Sequence, residues 1–201
     1  KKVVLFIYKI FFKIYYDKIF VLNYSDINYL LDKKIVNIAK IKYLPGTGID
    51  PIFFTREKKL FRQKDLKKSK FNIAMISRNI PEKGINTFIA SKYALESQFN
   101  YLNKKVNYII FMPQKDIFSF SRESILEMKK HNIKLMKYNK NPLDTYSQID
   151  ILIQPSIYFE GLSRVILEAG SLEIPIIAFK NRGIIDILPD ERYGYLLDKE
   201  S

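Results

Sequence analysis

Arg78 and Lys83 bracket the loop Arg78-Asn79-Ile80-Pro81-Glu82-Lys83-Gly84, which follows the apolar run NIAMIS (72–77). A guanidinium, an ammonium and the free N–H groups of a helix start together suit a diphosphate, because each offers its oxygens positive potential or a donor. The plainer alternative pairs Arg78 with a neighbouring carboxylate and makes Pro-Glu-Lys-Gly a helix-start turn. A second loop follows DILIQP (150–155) and runs from Ser156 to Arg164, with Glu160-Gly161-Leu162-Ser163 at its centre. Gly161 permits close backbone approach to a ligand, and the amides after it open a helix. Glu168 lies in that helix among Val165, Ile166, Leu167 and Ala169. A carboxylate in apolar surroundings is costly unless something bonds it. A hydroxyl-rich ligand such as ribose would do so, and so would a backbone amide or a basic side chain.

Other chemistries fall away on composition. The 201 residues contain no Cys, which removes disulfides, thiolate metal sites and cysteine nucleophiles. The one histidine, His131, sits in a polar helix-to-strand turn and takes no role. Neither G-x-G-x-x-G after a strand nor G-x-x-x-x-G-K-[ST] occurs, so dinucleotide and P-loop fingerprints are absent. With 34 basic against 21 acidic side chains the formal net charge is +13, a field that favours anionic partners. No nucleic-acid recognition motif accompanies that charge, so nucleic acid is not an expected partner.

The elements that must hold these loops follow from hydrophobic patterning. Continuous apolar runs at 72–77, 106–111, 133–136, 150–155 and 175–179 read as strands. Helical segments at about 84–102, 119–130, 142–148 and 162–173 separate them. Apolar strands alternating with helices imply a parallel sheet covered on both faces, a doubly wound α/β class. In such sheets ligands bind at the carboxyl ends of the strands, where both loops lie.

Upstream, residues 1–50 predict a helix at about 2–16, a strand at 19–23, a helix at about 25–37 capped near Ser25 and Asp26, and a strand at 41–44. Pro45-Gly46-Thr47-Gly48 breaks the chain. The basic segment 55–70, in which only Glu57 and Asp65 are acidic, reads as a solvated linker. The run Val3–Tyr16 is apolar and aromatic but interrupted by Lys9 and Lys13, too short and too charged to span a bilayer. Lys1 in place of Met, and Ser201 soon after the strand-like Tyr195–Leu197, give the expectation that both ends belong to something longer.

Taken together, Ser77–Gly84 (S-R-N-I-P-E-K-G) resembles the G-R-L-x-x-E-K-G segment of family 4 glycosyltransferases, and Glu160–Ala169 (E-G-L-S-R-V-I-L-E-A) their E-x7-E segment, preceded by Pro155-Ser156. Pro175–Ala178 with Gly183, and Gly194-Tyr195-Leu196, are similar to later family segments; 22–31 and 44–54 resemble the end of the N-terminal domain. The order and spacing cover nearly the whole chain, with the flavour of bacterial capsule and lipopolysaccharide transferases. Ser77 stands where the family usually has Gly, as do Met112-Pro113 and Lys137 near the nucleotide.

The resemblance implies a GT-B fold: 1–50 as the tail of the N-terminal acceptor domain, 51–70 as a basic interdomain linker, and 71–201 as a Rossmann-like C-terminal donor-binding domain, incomplete at its end. It implies a retaining transferase that moves a sugar from a nucleoside-diphosphate sugar, UDP-linked, to a polysaccharide or lipid-linked glycan. Arg78 and Lys83 would neutralise the diphosphate, and Glu160, the candidate catalytic residue, would contact the transferred sugar. The backbone of Gly161, Leu162 and Ser163 would meet sugar and phosphates, and Glu168 would hold the ribose. No metal or other cofactor is implied. The implied place is the cytoplasm, at the inner face of the plasma membrane. Two other readings stand beside it: a GT-B sugar-nucleotide epimerase, and a non-catalytic fragment whose aromatic-lysine helix meets an anionic membrane.

Overall fold

The N-terminal stretch builds helix α1 (Lys2–Tyr15), strand β1 (Ile19–Val21), helix α2 (Tyr24–Asp32) and strand β2 (Ile41–Tyr43), with the two strands paired in parallel. The computed structural model describes residues 2–46, 48–64, 70–99 and 106–199. Helix α2 is capped two residues before Ser25, the first residue of its Ser25-Asp26 signal. Its N-cap is Asn23, whose side-chain oxygen accepts from the Asp26 amide at 2.6 Å. The helix is also shorter than the predicted 25–37, and Lys34 follows it with a left-handed φ of 51°. The Lys40 ammonium donates to the carbonyls of Phe12, Lys13 and Tyr16, satisfying the orphan acceptors at the end of α1.

The basic segment is not wholly a solvated linker. Its first half is helix α3 (Arg56–Lys64), while 65–69 lie outside the described residues. Lys59 is buried on α3, and Arg56 pairs with Glu173 at 2.8 Å. Next to it, the Ser171 hydroxyl donates to the Phe54 carbonyl at 2.6 Å. Charge counting sees eight basic side chains' worth of solvation; it does not see that a helix can keep one flank against a neighbour.

From there the chain alternates: β3 (Phe71–Ile76), α4 (Ile85–Gln98), β4 (Val106–Met112), α5 (Gln114–Ile117), α6 (Arg122–Lys130), β5 (Ile133–Lys137), α7 (Pro142–Tyr146), β6 (Ile151–Gln154), α8 (Arg164–Ser171), β7 (Ile176–Phe179) and β8 (Tyr195–Leu197). The helix expected over 119–130 begins three residues later, as α6, because the Ser121 side chain accepts from the Ser124 amide and caps it there; the short α5 before it was not expected. The six strands β3–β8 form one all-parallel sheet in the order β5-β4-β3-β6-β7-β8. The chain winds outward from β3 to β5, then crosses back to place β6 on the other side of β3. That reversal opens a crevice at the carboxyl ends of β3 and β6.

Both faces of the sheet are covered, and the pleat sorts the side chains. Ala74, Ile76, Ile109 and Phe111 point into a core with Leu143 and Tyr146 of α7 and Ile166 and Ala169 of α8. Met75, Tyr108, Ile110 and Met112 alternate with them and pack on the other face against Ile85 and Phe88 of α4 and Met128 of α6. Burying each large side chain contributes about 1.5–3 kcal/mol.

One polar cluster interrupts the second core. The Lys92 side chain is buried, with its ammonium 3.0 Å from Glu96 Oε1 and 5.4 Å from the Tyr108 ring centroid. His131 lies 3.2 Å from the other Glu96 oxygen through Nδ1 and 3.1 Å from Glu127 through Nε2. Burial pushes the Glu96 carboxyl up, but hydrogen bonds and charge from Lys92 and His131 outweigh it and hold the group below its ordinary value. The stability this gives is complete above about pH 4.3 and is lost as pH falls through the lowered value. Glu96→Gln should therefore cost about 1–2 kcal/mol at neutral pH, and the difference should shrink as pH falls below about 4.3. Urea midpoints of both proteins across that range check this; a constant difference would refute it.

Candidate active site

Every loop that carries a predicted site residue is pinned by backbone groups at the crevice. After β3, the Asn79 amide donates to Asp116 Oδ2 at 3.1 Å and its side chain to the Ser119 hydroxyl at 2.7 Å, tying the first loop to α5. The Glu82 carbonyl then accepts from the amides of Ile157 and Tyr158 at 2.8 and 3.1 Å, stitching the first loop to the second. Asn181, after β7, donates to the carbonyls of Ser156 and Tyr158 at 2.9 and 2.7 Å. Asn23 reaches in from the start of α2, its side chain donating to the Gly161 carbonyl at 2.7 Å.

Two glycines make this stitching feasible. Gly84 has φ 80°, and a Cβ there would lie 2.1 Å from the Pro155 carbonyl oxygen. Gly183 has φ 79°, and its Cβ would lie 2.4 Å from the Glu160 carbonyl oxygen. Both combine a left-handed backbone with a close approach to main chain, which only glycine tolerates.

The stitched loops bring Lys83 against Glu160, and the two form a salt bridge that is largely shielded from solvent. The Lys83 ammonium also stands 4.8 Å from the Tyr158 ring centroid. Burial, and then the nearby Arg78 charge, lower the Lys83 pKa from its ordinary value. Arg78 itself is exposed and makes no ion pair among the described residues, so its paired alternative is not what the structure shows. Both cations line a cavity of about 730 Å³, shared with Gln154, Glu160, Arg164 and Glu168. Its far wall comes from the ends of β4 and β5, including Met112, Lys137, Tyr138 and Asn139. A second cavity of about 720 Å³, lined by Ile166, Ile176, Leu188 and Tyr193 among others, holds none of the predicted site residues.

Glu168 is buried and is held from two sides. Tyr146 donates its hydroxyl to Oε2 at 2.8 Å, and Arg164, one helical turn away, donates to Oε1 at 3.0 Å. The basic-side-chain alternative raised by the sequence is thus present. It leaves the carboxylate facing the cavity with further acceptor capacity, since its two oxygens take about four bonds. Burial and the Glu168 charge raise the hydroxyl pKa of both Tyr138 and Tyr146, so both remain donors at neutral pH. The amides of Gly161, Leu162 and Ser163 donate to no acceptor among the described residues, as a backbone cradle requires.

The sequence profile described as Glycosyl transferases group 1 matches residues 56–201. The chain belongs to the group 1 glycosyltransferases. Among curated relatives, the capsular polysaccharide biosynthesis glycosyltransferase CapM of Staphylococcus aureus is 25% identical over 131 residues, which are 64% of this chain and 33% of CapM. Among solved structures, Alr3699/HepE of Anabaena, in complex with UDP and glucose, superposes with TM-score 0.75 at 14% identity, covering 98% of this chain and 54% of that one. WaaG, a glycosyltransferase involved in lipopolysaccharide biosynthesis, superposes with TM-score 0.69 at 18% identity, covering 90% and 49%. The chain thus spans a third to a half of the length of these relatives, and the superpositions show a GT-B type of fold.

In this glycosyltransferase chain the predicted residues Arg78, Lys83, Glu160 and Glu168 share one cavity, with Gly161–Ser163 directly after Glu160. Sequence reasoning missed Tyr146, Asn23 and Asn181, whose partners lie far along the chain and leave no spacing signal. Arg164 was not named as the partner of Glu168 either, although a basic residue four positions earlier on a helix is a signal that could have found it.

Proposed function

We propose that this chain forms the donor half of a retaining, family 4 type glycosyltransferase, which takes a UDP-linked sugar and delivers it to a growing polysaccharide or lipid-linked glycan. The observation that carries the reading is the convergence of Arg78, Lys83, Glu160 and Glu168 on one cavity at the switch point of the sheet. The UDP and glucose named for HepE, and the capsule role named for CapM, support the choice of donor and acceptor class.

Transfer breaks the bond between the anomeric carbon and the diphosphate oxygen, forms one to an acceptor oxygen, and passes the acceptor proton to the departing diphosphate. Arg78 and Lys83 stabilise the charge that develops on that leaving group in the proposed reaction. The lysine now pairs with Glu160, so an entering diphosphate competes with this carboxylate, freeing Glu160 to accept from the sugar hydroxyls. Glu168, oriented by Tyr146 and Arg164, accepts from the ribose. Among the described residues no group of three His, Asp or Glu side chains is gathered to hold a metal ion, and the reading assigns the charge to the two cations alone. A transfer assay in excess chelator tests that assignment. No described helix is long and apolar enough to cross a membrane. The exposed aromatic side chains of α1, with the exposed Lys13 among them, suit the peripheral contact with an anionic membrane that a cytoplasmic, lipid-linked pathway entails.

Calorimetric titration with UDP, with GDP and AMP as controls, is the direct test. Selective UDP binding that Glu168→Ala weakens about tenfold supports the reading, a single charge-assisted hydrogen bond being of that size. A folded chain that binds none of the three refutes it.

A further inference from the structure

Gln154 is the last residue of β6, shares its buried face with Leu152, and is 2% exposed. Its side chain lines the same cavity as Arg78, Lys83 and Glu168. Yet no donor among the described residues reaches its Oε1. Buried amide oxygens are bonded in nearly all folded proteins, and one left without a partner costs stability. At this position in the sheet an apolar side chain would continue the core of Leu152 and Ile166 without that cost. An amide here is explained by something that enters the cavity.

The chemistry of the oxygen narrows what that is. Oε1 only accepts, and phosphate oxygens at neutral pH are acceptors too, so the diphosphate cannot satisfy it. A hydroxyl can. We propose that Gln154 is a ligand-binding residue that accepts a hydrogen bond from a hydroxyl on the sugar portion of a nucleoside-diphosphate donor. The assignment rests on the donor-site reading and adds to it a contact on the strand that forms the cavity floor, in addition to the loops and helix α8.

The test uses Gln154→Met, which keeps the unbranched length and removes the amide, with Gln154→Asn as a second variant that keeps the amide but withdraws it by one methylene. Each is titrated with UDP-glucose, UDP and inorganic pyrophosphate, and each is melted without ligand. The expected result is five- to twentyfold weaker binding of UDP-glucose by both variants, with pyrophosphate binding unchanged. Gln154→Met is also expected to melt no lower than wild type, because it removes an unsatisfied buried group. A lowered melting temperature with unchanged UDP-glucose affinity would make Gln154 structural and overturn the assignment. Equal losses for pyrophosphate and UDP-glucose would overturn it as well. If UDP weakens alongside UDP-glucose, the hydroxyl is on the ribose; if UDP is unaffected, it is on the transferred sugar, and either supports the proposal. Wild-type protein that binds no UDP compound overturns the donor-site reading and this assignment with it, whereas wild-type binding that both variants retain overturns this assignment alone.

Discussion

Gly84→Ala is expected to cost about 2–5 kcal/mol, among the largest effects of any single methyl group in this chain. The sum has two parts. A left-handed backbone at φ 80° costs an alanine about 1–2 kcal/mol. Its Cβ would stand 2.1 Å from the Pro155 carbonyl oxygen, and forcing main chain aside in a packed region costs about 1–3 kcal/mol more. Gly48→Ala separates the two, since Gly48 also has a positive φ, 63°, but a Cβ there meets nothing within 4 Å. It should cost about 1–2 kcal/mol, the backbone part alone. Urea unfolding midpoints of the two variants measure the difference, and equal destabilisation would mean that the Pro155 contact gives way freely. The site should suffer with the fold. Gly84 follows Lys83 directly, and the shift that relieves the clash separates the loops that the Glu82 carbonyl holds together. UDP affinity should fall in Gly84→Ala even at temperatures where it is folded.

Lys83→Ala should weaken UDP binding about a hundredfold, against about tenfold for Arg78→Ala, the larger figure corresponding to about 2.7 kcal/mol. Burial is the reason for the contrast. The Arg78 side chain is exposed, where water and salt screen its charge. The Lys83 side chain is only 11% exposed, and its loss removes a shielded cation and leaves the Glu160 carboxylate unneutralised next to an incoming diphosphate. Adding Glu160→Gln to Lys83→Ala should therefore recover part of the lost UDP affinity, while Glu160→Gln alone should leave UDP binding intact or tighter. Calorimetry on the four variants decides it; Arg78→Ala proving more damaging than Lys83→Ala would contradict the burial argument. The pH dependence has a definite sign. Because burial and Arg78 lower the Lys83 pKa, the affinity carried by its ammonium fades, as pH rises, earlier than it would for an exposed lysine.

The strand and helix pattern was legible because each signal is local. NIAMIS, VNYIIF and DILIQP are apolar on consecutive residues, as a strand covered on both faces must be, and they became β3, β4 and β6 of one parallel sheet. Parallel strands place their outgoing loops at one end, so Arg78, Lys83 and Glu168 followed as candidates from their chemistry and their positions after β3 and β6, while the role of Glu160 came from the family resemblance. Where local signals compete, boundaries moved: Asn23 outcompeted Ser25 and Asp26 as the cap of α2, and Ser121 capped α6 so that it starts three residues after the expected 119.

The contacts that make these residues a site have no such signature. Lys83 and Glu160 meet across 77 residues, Tyr146 and Glu168 across 22, and Asn23 and Gly161 across 138. Gly84 reads as an ordinary helix-start glycine until the Pro155 carbonyl is seen against it. The unsatisfied Gln154 oxygen is unremarkable in a string of letters, because an amide is only unsatisfied relative to neighbours brought by other strands and helices. Residue type and spacing therefore decide which chemistry a loop can offer. Packing decides which charges are shielded, which are paired and which await a ligand, since those depend on atoms that are distant along the chain and adjacent only in the fold.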